Sequence, residues 1–352
     1  MVSTRSVPTL LARILVIAGV FVLAAIVAVP LHVGRTDGGT PLRIALIQGN
    51  VPSEGLENET RAREVLEYHV AQTMRLVSEI KAGTVQRPDL VLWPENASDV
   101  DPFVDPTAYQ LIDRTVQAVG APILVGAILD APGGKRYNTG ILWSPTAGPG
   151  ARYTKRHPVP FGEYIPLRSI ATWVSSDADL VTDMLAGHGN GLLTGGPAPI
   201  GDVICFEVAY DSLVQSSVKA GAQVLVVQTN NATFGHTSET YQQLAMSRLR
   251  AVETGRTVLQ VATTGKSAII DPNGGIVAES GPLYTADTLA AAVPPRTAET
   301  LAVRFGAWPE YVLSAIAVLV AAWTVGLSVR QRRRRTPNPR PVPGQSEEMV
   351  TT

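Results

Sequence analysis

The chain has 352 residues, a formal net charge of -1 and 45% hydrophobic residues, which is enough for one large globular domain with extra segments. There is no basic excess, so the composition gives no indication of nucleic-acid binding. The sequence has a single cysteine and no spacing of cysteines or histidines typical of a zinc site, so we expect neither a metal nor a cofactor.

The first predicted element is an apolar run at residues 14–31, with Arg5 and Arg13 before it. Its length suffices to cross a bilayer as a helix, and the preceding basic residues favour a cytoplasmic N-terminus at residues 1–13. A cleaved signal peptide is the alternative, because small residues such as Ala28 lie near the end of the run. Both alternatives export the domain that follows.

A globular domain is predicted over residues 42–300, in which strands first alternate with helices and then form hairpins. Strands are expected at residues 42–48, 89–93, 121–127, 137–143, 200–204, 224–228, 257–262, 267–270 and 276–279. Helices are expected at residues 60–82, 106–119, 212–220 and 238–254. A turn at Pro272-Asn273-Gly274 joins the last two strands. This succession predicts a layered α/β domain with a mixed sheet.

Residues 167–196 depart from this order, because they are rich in Gly and Asp and have few periodic apolar residues. A long irregular insertion in a compact domain is usually a lid or a binding loop. If the insertion is such a loop, we expect its scattered apolar residues, such as Trp173 and Met184, to contact a membrane. An ordered surface loop without that role is the alternative, and the sequence favours neither.

A second apolar run at residues 311–329 ends at a cluster of five arginines, Arg330 and Arg332 to Arg335, which is typical of a stop-transfer helix. Because the basic residues lie at the outer end of each run, the positive-inside rule predicts a multi-pass protein of the cell membrane. The globular domain is then extracytoplasmic, and residues 330–352 form a basic, Pro-rich cytoplasmic tail.

Cys205 lies between the strand that ends at Ile204 and the helix predicted at residues 212–220. A cysteine at a strand-to-helix turn lies near backbone N–H groups, which lower its pKa and stabilise an oxyanion. The alternative is a small buried apolar residue. In an exported domain a cysteine without a disulfide partner is unusual, and this favours the interpretation of Cys205 as a nucleophile.

Two charged residues supply partners for such a nucleophile. Glu95 directly follows a strand, where open α/β sheets place their active sites, and a carboxylate there suits a general base. Lys155 lies in a Pro-flanked loop, and the chain has only five lysines against 24 arginines. A lysine in so arginine-rich a chain favours a role for its compact ammonium group, such as stabilising an oxyanion. A solvated surface side chain is the alternative for each.

Four further residues complete the predicted site. Glu163 and Glu207 are candidate acids, and the alternative for each is a structural carboxylate that pairs with Lys155. Phe206 and Tyr164 are adjacent in sequence to these residues and to Cys205, and we expect them to support the site.

The order Glu95, Lys155 and Cys205 resembles the Glu-Lys-Cys triad of the nitrilase superfamily. The chain is similar to one branch of it, the apolipoprotein N-acyltransferases, from about Leu42 to the last apolar run. The matching stretches are residues 45–50, 93–95, 137–138, 153–166, 204–207, 230–235 and 248–256. The most specific is the run from Lys155 to Tyr164, which separates this branch from soluble amidases.

The resemblance implies a four-layer α-β-β-α sandwich flanked by transmembrane helices, and a ping-pong acyl transfer. Glu95 would take the thiol proton and Cys205 would attack the ester carbonyl of a phospholipid acyl donor. Lys155 and the backbone N–H after Cys205 would stabilise the oxyanion. The thioester would then pass its acyl chain to the α-amine of a diacylglyceryl-cysteine on an apolipoprotein acceptor.

The chain also departs from this branch. Family members carry several membrane helices before the catalytic domain, whereas one is predicted here, so a separate membrane subunit is a candidate partner. Thr233 replaces an aromatic residue, and a family tryptophan has no counterpart near Glu57. Two other functions remain open: a membrane-tethered amidase that uses water as acceptor, and a non-catalytic lipoprotein-binding partner.

Overall fold

The computed structural model describes residues 40–51, 59–174 and 181–335, together with residues 16, 17 and 19. The chain divides into two compact units, Met1–Arg304 and Phe305–Thr352. Most of the first predicted span, residues 14–31, and most of the tail lie outside the described residues.

The larger unit contains two six-stranded mixed sheets. The first sheet is formed by β1 (Leu42–Gln48), β2 (Leu90–Leu92), β3 (Ile123–Ala131), β4 (Lys135–Ser144), β5 (Gly148–Thr154) and β12 (Asp287–Val293). Its strand order is β12-β1-β2-β3-β4-β5. The three central strands β1, β2 and β3 are parallel. At the edges, β12 pairs antiparallel with β1, β4 with β3, and β5 with β4.

The second sheet repeats this arrangement of parallel central strands. It is formed by β6 (Leu192–Leu193), β7 (Ile200–Ile204), β8 (Val224–Thr229), β9 (Val258–Ala262), β10 (Ala268–Ile270) and β11 (Ile276–Glu279), in the order β11-β10-β9-β8-β7-β6. Strands β7, β8 and β9 are parallel and in continuous register. Gly274, with a φ of 80°, permits the predicted hairpin turn between β10 and β11.

Four helices cover the outer faces of the two sheets. They are α1 (Glu59–Ala82), α2 (Pro106–Val119), α4 (Asp211–Lys219) and α5 (Glu239–Thr254). Helix α2 begins where the Asp105 side chain accepts hydrogen bonds from the N–H groups of Thr107 and Ala108, and it ends at Gly120 in the left-handed conformation. Local sequence therefore fixes both ends of α2.

Three buried clusters connect the layers. One joins the facing sides of the two sheets and includes Leu46, Leu92, Ile204 and Val226. A second packs α1 and α2 onto the first sheet, and a third packs α4 and α5 onto the second sheet. The described domain is therefore an α-β-β-α sandwich with two mixed sheets, which confirms the layered α/β domain and the four-layer sandwich that the resemblance implied.

Three strands were missing from the predicted elements. Strand β5 begins with Gly148-Pro149-Gly150, which is typical of a turn, and β12 contains three consecutive alanines with low strand propensity. Strand β6 has two residues. Each forms because a partner strand is available: β5 pairs with β4, β6 with β7, and β12, which is distant in sequence, with all seven residues of β1.

The smaller unit consists mainly of α7 (Trp308–Arg335), which follows a short helix α6 (Leu301–Phe305). Residues Trp308–Arg330 have a mean hydropathy of 2.2 and no buried part, so this helix is long and apolar enough to cross a membrane. It contains the predicted run at residues 311–329.

Candidate active site

Cys205 lies at a strained turn directly after β7. Its φ is 55°, a left-handed conformation that is uncommon for a residue with a side chain. A 3-10 turn, Cys205–Ala209, follows, and α4 begins at Asp211. A backbone outlier of this kind costs about 1–3 kcal/mol and persists when the surrounding structure holds it in place. The strand-to-helix turn predicted around Cys205 is therefore present.

Glu95 follows β2 and is held from several directions. Its Oε1 accepts hydrogen bonds from Lys155 Nζ (2.9 Å) and Asn138 Nδ2 (2.7 Å), and its Oε2 accepts one from the backbone N–H of Asn230 (2.7 Å). Gly126 makes room for this segment, because a Cβ there would lie 2.1 Å from the Pro94 carbonyl oxygen. The carboxylate is 3% exposed, so its orientation is fixed.

Lys155 links two carboxylates inside the domain. Its Nζ donates to Glu95 Oε1 and to Glu163 Oε1 at 2.9 and 2.7 Å, and the residue is 1% exposed. Burial alone lowers the pKa of Lys155, but Glu95, Cys205 and Glu163 raise it above its ordinary value. The side chain is therefore a buried cation, and the surface-lysine alternative is wrong.

Glu163 fits the structural alternative that the sequence left open, while its role as an acid stays a prediction. It pairs with Lys155, as expected of a structural carboxylate, and it lies in the same cluster as Glu95. Its Oε2 accepts the backbone N–H of Val159 (2.7 Å). Asn138 joins the cluster by donating to Oε1 of Glu95 and of Glu163 (3.2 Å).

Asn138 was not among the predicted site residues. It lies within one of the family-like stretches, but a buried asparagine in a strand carries no chemical signal of its own. Only the pairing of β3 with β4 and the return of the chain through Lys155 bring its amide between the two carboxylates. Its backbone carbonyl also accepts the Lys155 N–H at 2.8 Å.

The Cys205 thiol is 7% exposed, and the Thr229 hydroxyl oxygen, a possible hydrogen-bond donor, lies 3.5 Å from the sulfur. Burial raises the pKa of Cys205 to about 12; Glu95 and Glu163 also raise it, while Lys155 and Thr229 lower it. The expected lowering of this pKa was therefore wrong, because loss of solvation outweighs the cation. Both Glu95 and Lys155 interact electrostatically with the sulfur, which places the three predicted residues in one site.

Glu207 ties the Cys205 turn to the loop that carries Lys155. Its buried carboxylate accepts hydrogen bonds from the Tyr153 hydroxyl (2.9 Å) and from backbone N–H groups of Arg156 (2.6 Å), His157 (3.0 Å) and Ile204 (3.0 Å). Its structural alternative was a pairing with Lys155, but its partners are these donors. Glu207 therefore holds two loops together.

Phe206 and Tyr164 lie at the edge of this cluster. Phe206 is 44% exposed and packs edge-on against Tyr210, with 6.2 Å between the ring centroids. Tyr210 in turn stacks on His157, with 4.1 Å between the ring centroids. Tyr164 contributes a backbone carbonyl that accepts the Phe161 N–H, which closes the turn around Glu163. An exposed aromatic surface therefore lies next to the buried charges.

The irregular insertion is tied to the same loop. Met184 N–H donates to the Glu163 carbonyl (2.6 Å), and Gly187 N–H donates to the Lys155 carbonyl (2.8 Å). Residues Arg168–Val174 form a short helix, α3, in which Trp173 is 85% exposed, while residues 175–180 lie outside the described part. The described parts of the insertion are ordered, and residues 184–187 are hydrogen-bonded to the backbone of the loop that carries Lys155 and Glu163.

Within the described ranges, no group of three or more His, Cys, Asp or Glu side chains is arranged to hold a metal ion. The polar groups of the site instead hydrogen-bond to one another, as Lys155 does with Glu95 and Glu163. Such an arrangement is suited to proton transfer and covalent catalysis by a thiol next to a carboxylate and a cation.

Comparison with solved structures shows the same fold. An amidase from Nesterenkonia sp. superposes with a TM-score of 0.52 at 20% identity, covering 75% of this chain and 94% of the amidase. Nit3 of Saccharomyces cerevisiae, a member of branch 10 of the nitrilase superfamily, gives a TM-score of 0.54 at 18% identity, covering 73% and 91%. The α-β-β-α domain is therefore nitrilase-like.

Sequence comparison shows the family. The carbon-nitrogen hydrolase family matches residues 43–302. An apolipoprotein N-acyltransferase of Mycolicibacterium smegmatis is 42% identical over 265 residues, which cover 73% of this chain and 44% of the relative. Another, from Methylococcus capsulatus, is 31% identical over 84% of this chain and 55% of the relative. The chain spans about half the length of these relatives, and it belongs to the carbon-nitrogen hydrolase family.

Proposed function

We propose that the chain carries an acyl chain from a phospholipid to the N-terminal amine of a diacylglyceryl-apolipoprotein, through a thioester on Cys205. The observation that carries this proposal is the buried Lys155 cation, bonded to Glu95 and Glu163 and interacting with the Cys205 sulfur. The relatives named as apolipoprotein N-acyltransferases supply the substrate class.

In the first half-reaction, Glu95 takes the proton of the Cys205 thiol and the sulfur attacks the ester carbonyl of the donor. Lys155, together with the backbone N–H after Cys205, stabilises the negative oxygen of the tetrahedral intermediate. The intermediate collapses with loss of the lysophospholipid alkoxide, which takes the proton from Glu95. Because Cys205 is protonated at rest, the thiol is not a standing nucleophile; proton removal accompanies attack.

In the second half-reaction, the α-amine of the acceptor attacks the thioester carbonyl. Glu95 accepts the amine proton, Lys155 again holds the oxyanion, and the Cys205 thiolate leaves and is reprotonated from Glu95. An amide forms and the thioester breaks, so the enzyme returns to its starting protonation state. Asn138 and Glu163 hold Lys155 and Glu95 in position for both halves.

The lipid nature of both substrates accords with the exposed aromatic residues beside the site and with the apolar helix after the domain. The topology proposed here is a multi-pass protein of the cell membrane, with spans at residues 14–31 and 311–329 and the domain at residues 42–300 on the extracytoplasmic side. Residues 1–13 and 330–352 are then cytoplasmic. A separate membrane subunit is a further proposed partner.

The experiment that tests this function offers the protein, in phospholipid micelles, a synthetic diacylglyceryl-cysteine lipopeptide with a free amine. The expected result is a mass gain of one acyl group on the lipopeptide, which is absent with an N-acetylated lipopeptide and with Cys205→Ala. Release of free fatty acid without lipopeptide acylation identifies the amidase-like alternative, with water as acceptor. Lipopeptide binding without either product identifies the non-catalytic partner.

A further inference from the structure

A network of neutral polar side chains, Thr229, Asn231 and Gln243, lies next to the Cys205 sulfur. Strands β7 and β8 are parallel, and Gln228 pairs with Ile204, so the next residues, Thr229 and Cys205, lie side by side. Thr229 is fully buried, and its Oγ1 lies 3.5 Å from the Cys205 sulfur. The sulfur therefore has a hydroxyl neighbour that no predicted site residue supplies.

The hydroxyl of Thr229 has one hydrogen and two acceptors. Asn231 Nδ2 uses its two hydrogens on Gln243 Oε1 (2.6 Å) and on Thr229 Oγ1 (3.0 Å). The Thr229 hydroxyl can then donate either to Gln243 Oε1 (2.9 Å) or to the Cys205 sulfur (3.5 Å). Both Asn231 and Gln243 are buried, so water does not compete for these bonds.

We propose that Thr229 is a further catalytic residue, which turns its hydroxyl hydrogen from Gln243 to the sulfur when the Cys205 thiolate forms. The inference rests on the proposed role of Cys205 as the nucleophile. While the sulfur is a neutral thiol, Gln243 is the better acceptor and the closer one. Once the sulfur is charged, it becomes the better acceptor, because hydrogen bonds to charged groups are stronger.

The proton balance of this step is closed. The thiol proton passes to Glu95, the hydroxyl hydrogen of Thr229 rotates to the sulfur, and Gln243 Oε1 keeps its bond from Asn231. When the thioester forms, its neutral sulfur is a weak acceptor and the hydroxyl returns to Gln243. When the thiolate leaves in the second half-reaction, Thr229 stabilises it again.

The test uses the rate of Cys205 alkylation by iodoacetamide at about pH 8, where the rate is proportional to the small fraction of thiolate. It needs no lipid and reports one site, because the chain has no other cysteine. Removing the hydroxyl in Thr229→Val is expected to lower this rate about tenfold. Thr229→Ser keeps the hydroxyl and is expected to react as the wild type does. Thr115→Val, in α2, is the matched control for a buried threonine and is expected to leave the rate unchanged.

A second variant gives a change of opposite sign. Gln243→Met removes the competing acceptor, so the hydroxyl hydrogen is free for the sulfur and the alkylation rate is expected to rise. This variant tests the inference if Thr229→Val does not fold. A wild-type rate in folded Thr229→Val, or in folded Gln243→Met, overturns the inference. Changed rates in a protein that takes no acyl group from phospholipid retain the inference and reject the proposed function instead.

Discussion

The two sheets contribute different chemistry to the site. The first sheet and its loops supply the buried charges, Glu95, Lys155 and Glu163, whereas the second supplies Cys205 and neutral groups such as Thr229. The charged side is satisfied internally, because each ion has a partner of opposite sign. On the neutral side, the Thr229 hydroxyl and the Asn231 and Gln243 amides hydrogen-bond to one another, while Asn231 Oδ1 and Gln243 Nε2 have no partner among the described residues. The nucleophile therefore lies at a boundary between a fixed electrostatic environment and one that can reorient.

A carboxyl on the second sheet follows the same division. Asp202 in β7 is fully buried, and neither of its carboxyl oxygens has a hydrogen-bond partner among the described residues. Burial raises its pKa well above the ordinary value, and Glu207 and Glu95 raise it further. The shift favours a neutral carboxyl at Asp202, beside the Glu207 carboxylate that follows the same strand.

The largest expected effect comes from breaking the charged side with Lys155→Met. Two buried carboxylates then lose their cation, and removing one partner of a buried ion pair costs about 3–5 kcal/mol. We expect a matching loss of unfolding free energy in denaturant titrations, together with loss of acyl transfer. Lys219→Met, at an exposed position of α4, is the control. Equal stability of the two variants would show that Lys155 is not a required counter-ion.

The connection between the two sides is tested by Glu207→Gln. The amide retains one acceptor oxygen where two carboxylate oxygens serve several donors, so a buried donor faces an NH2 group at a cost of about 1–3 kcal/mol. Both stability and the rate of Cys205 alkylation are expected to fall, since the Lys155 loop and the Cys205 turn separate. Exposed Glu67→Gln should leave both unchanged. A stable Glu207→Gln with normal alkylation contradicts the proposed link.

A smaller effect is expected on the charged side from Asn138→Leu. Glu95 and Glu163 each lose a donor but keep Lys155, so acyl transfer is expected to fall about tenfold, which corresponds to one hydrogen bond to a charged group. Single-turnover acylation measures this. Asn138→Asp adds a third carboxylate and is expected to be worse than Asn138→Leu; the reverse order would mean that the carboxylates are not ionised together.

The last expected effect is a stabilisation by Asp202→Asn that is smallest near about pH 4 and grows with pH. The folded protein holds the Asp202 proton above the unfolded pKa of 3.8, so wild-type stability falls as pH rises from about 4 towards the raised pKa, by at most about 1.4 kcal/mol per pH unit. Asparagine does not titrate. Thermal unfolding between pH 4 and 8 should therefore show a gain that grows with pH, whereas exposed Asp130→Asn should show none. A gain in stability that is constant with pH would contradict a raised pKa of Asp202 in the folded protein.

Much of the charged side could be predicted from the sequence, but little of the neutral side. Glu95 and Cys205 directly follow apolar strands, and Lys155 lies in a distinctive loop, so each has a local signal. Thr229 contacts the sulfur, and Gln243 contacts Thr229, only because β7 and β8 pair in parallel and α5 packs against the sheet. Such contacts depend on register and packing between distant segments. The same reason explains the missed strand β12, whose alanines form a strand only by pairing with β1.

The measurement that tests the central claim most directly is the intact mass of the purified protein after incubation with phospholipid micelles and no acceptor. We expect a gain of one fatty-acyl group on the wild type, removed by hydroxylamine at neutral pH as a thioester is, and absent from Cys205→Ala. Subsequent addition of the diacylated lipopeptide should discharge it. A folded wild type that gains no mass, or a Cys205→Ala variant that gains the same mass, contradicts catalysis through Cys205 by this chain.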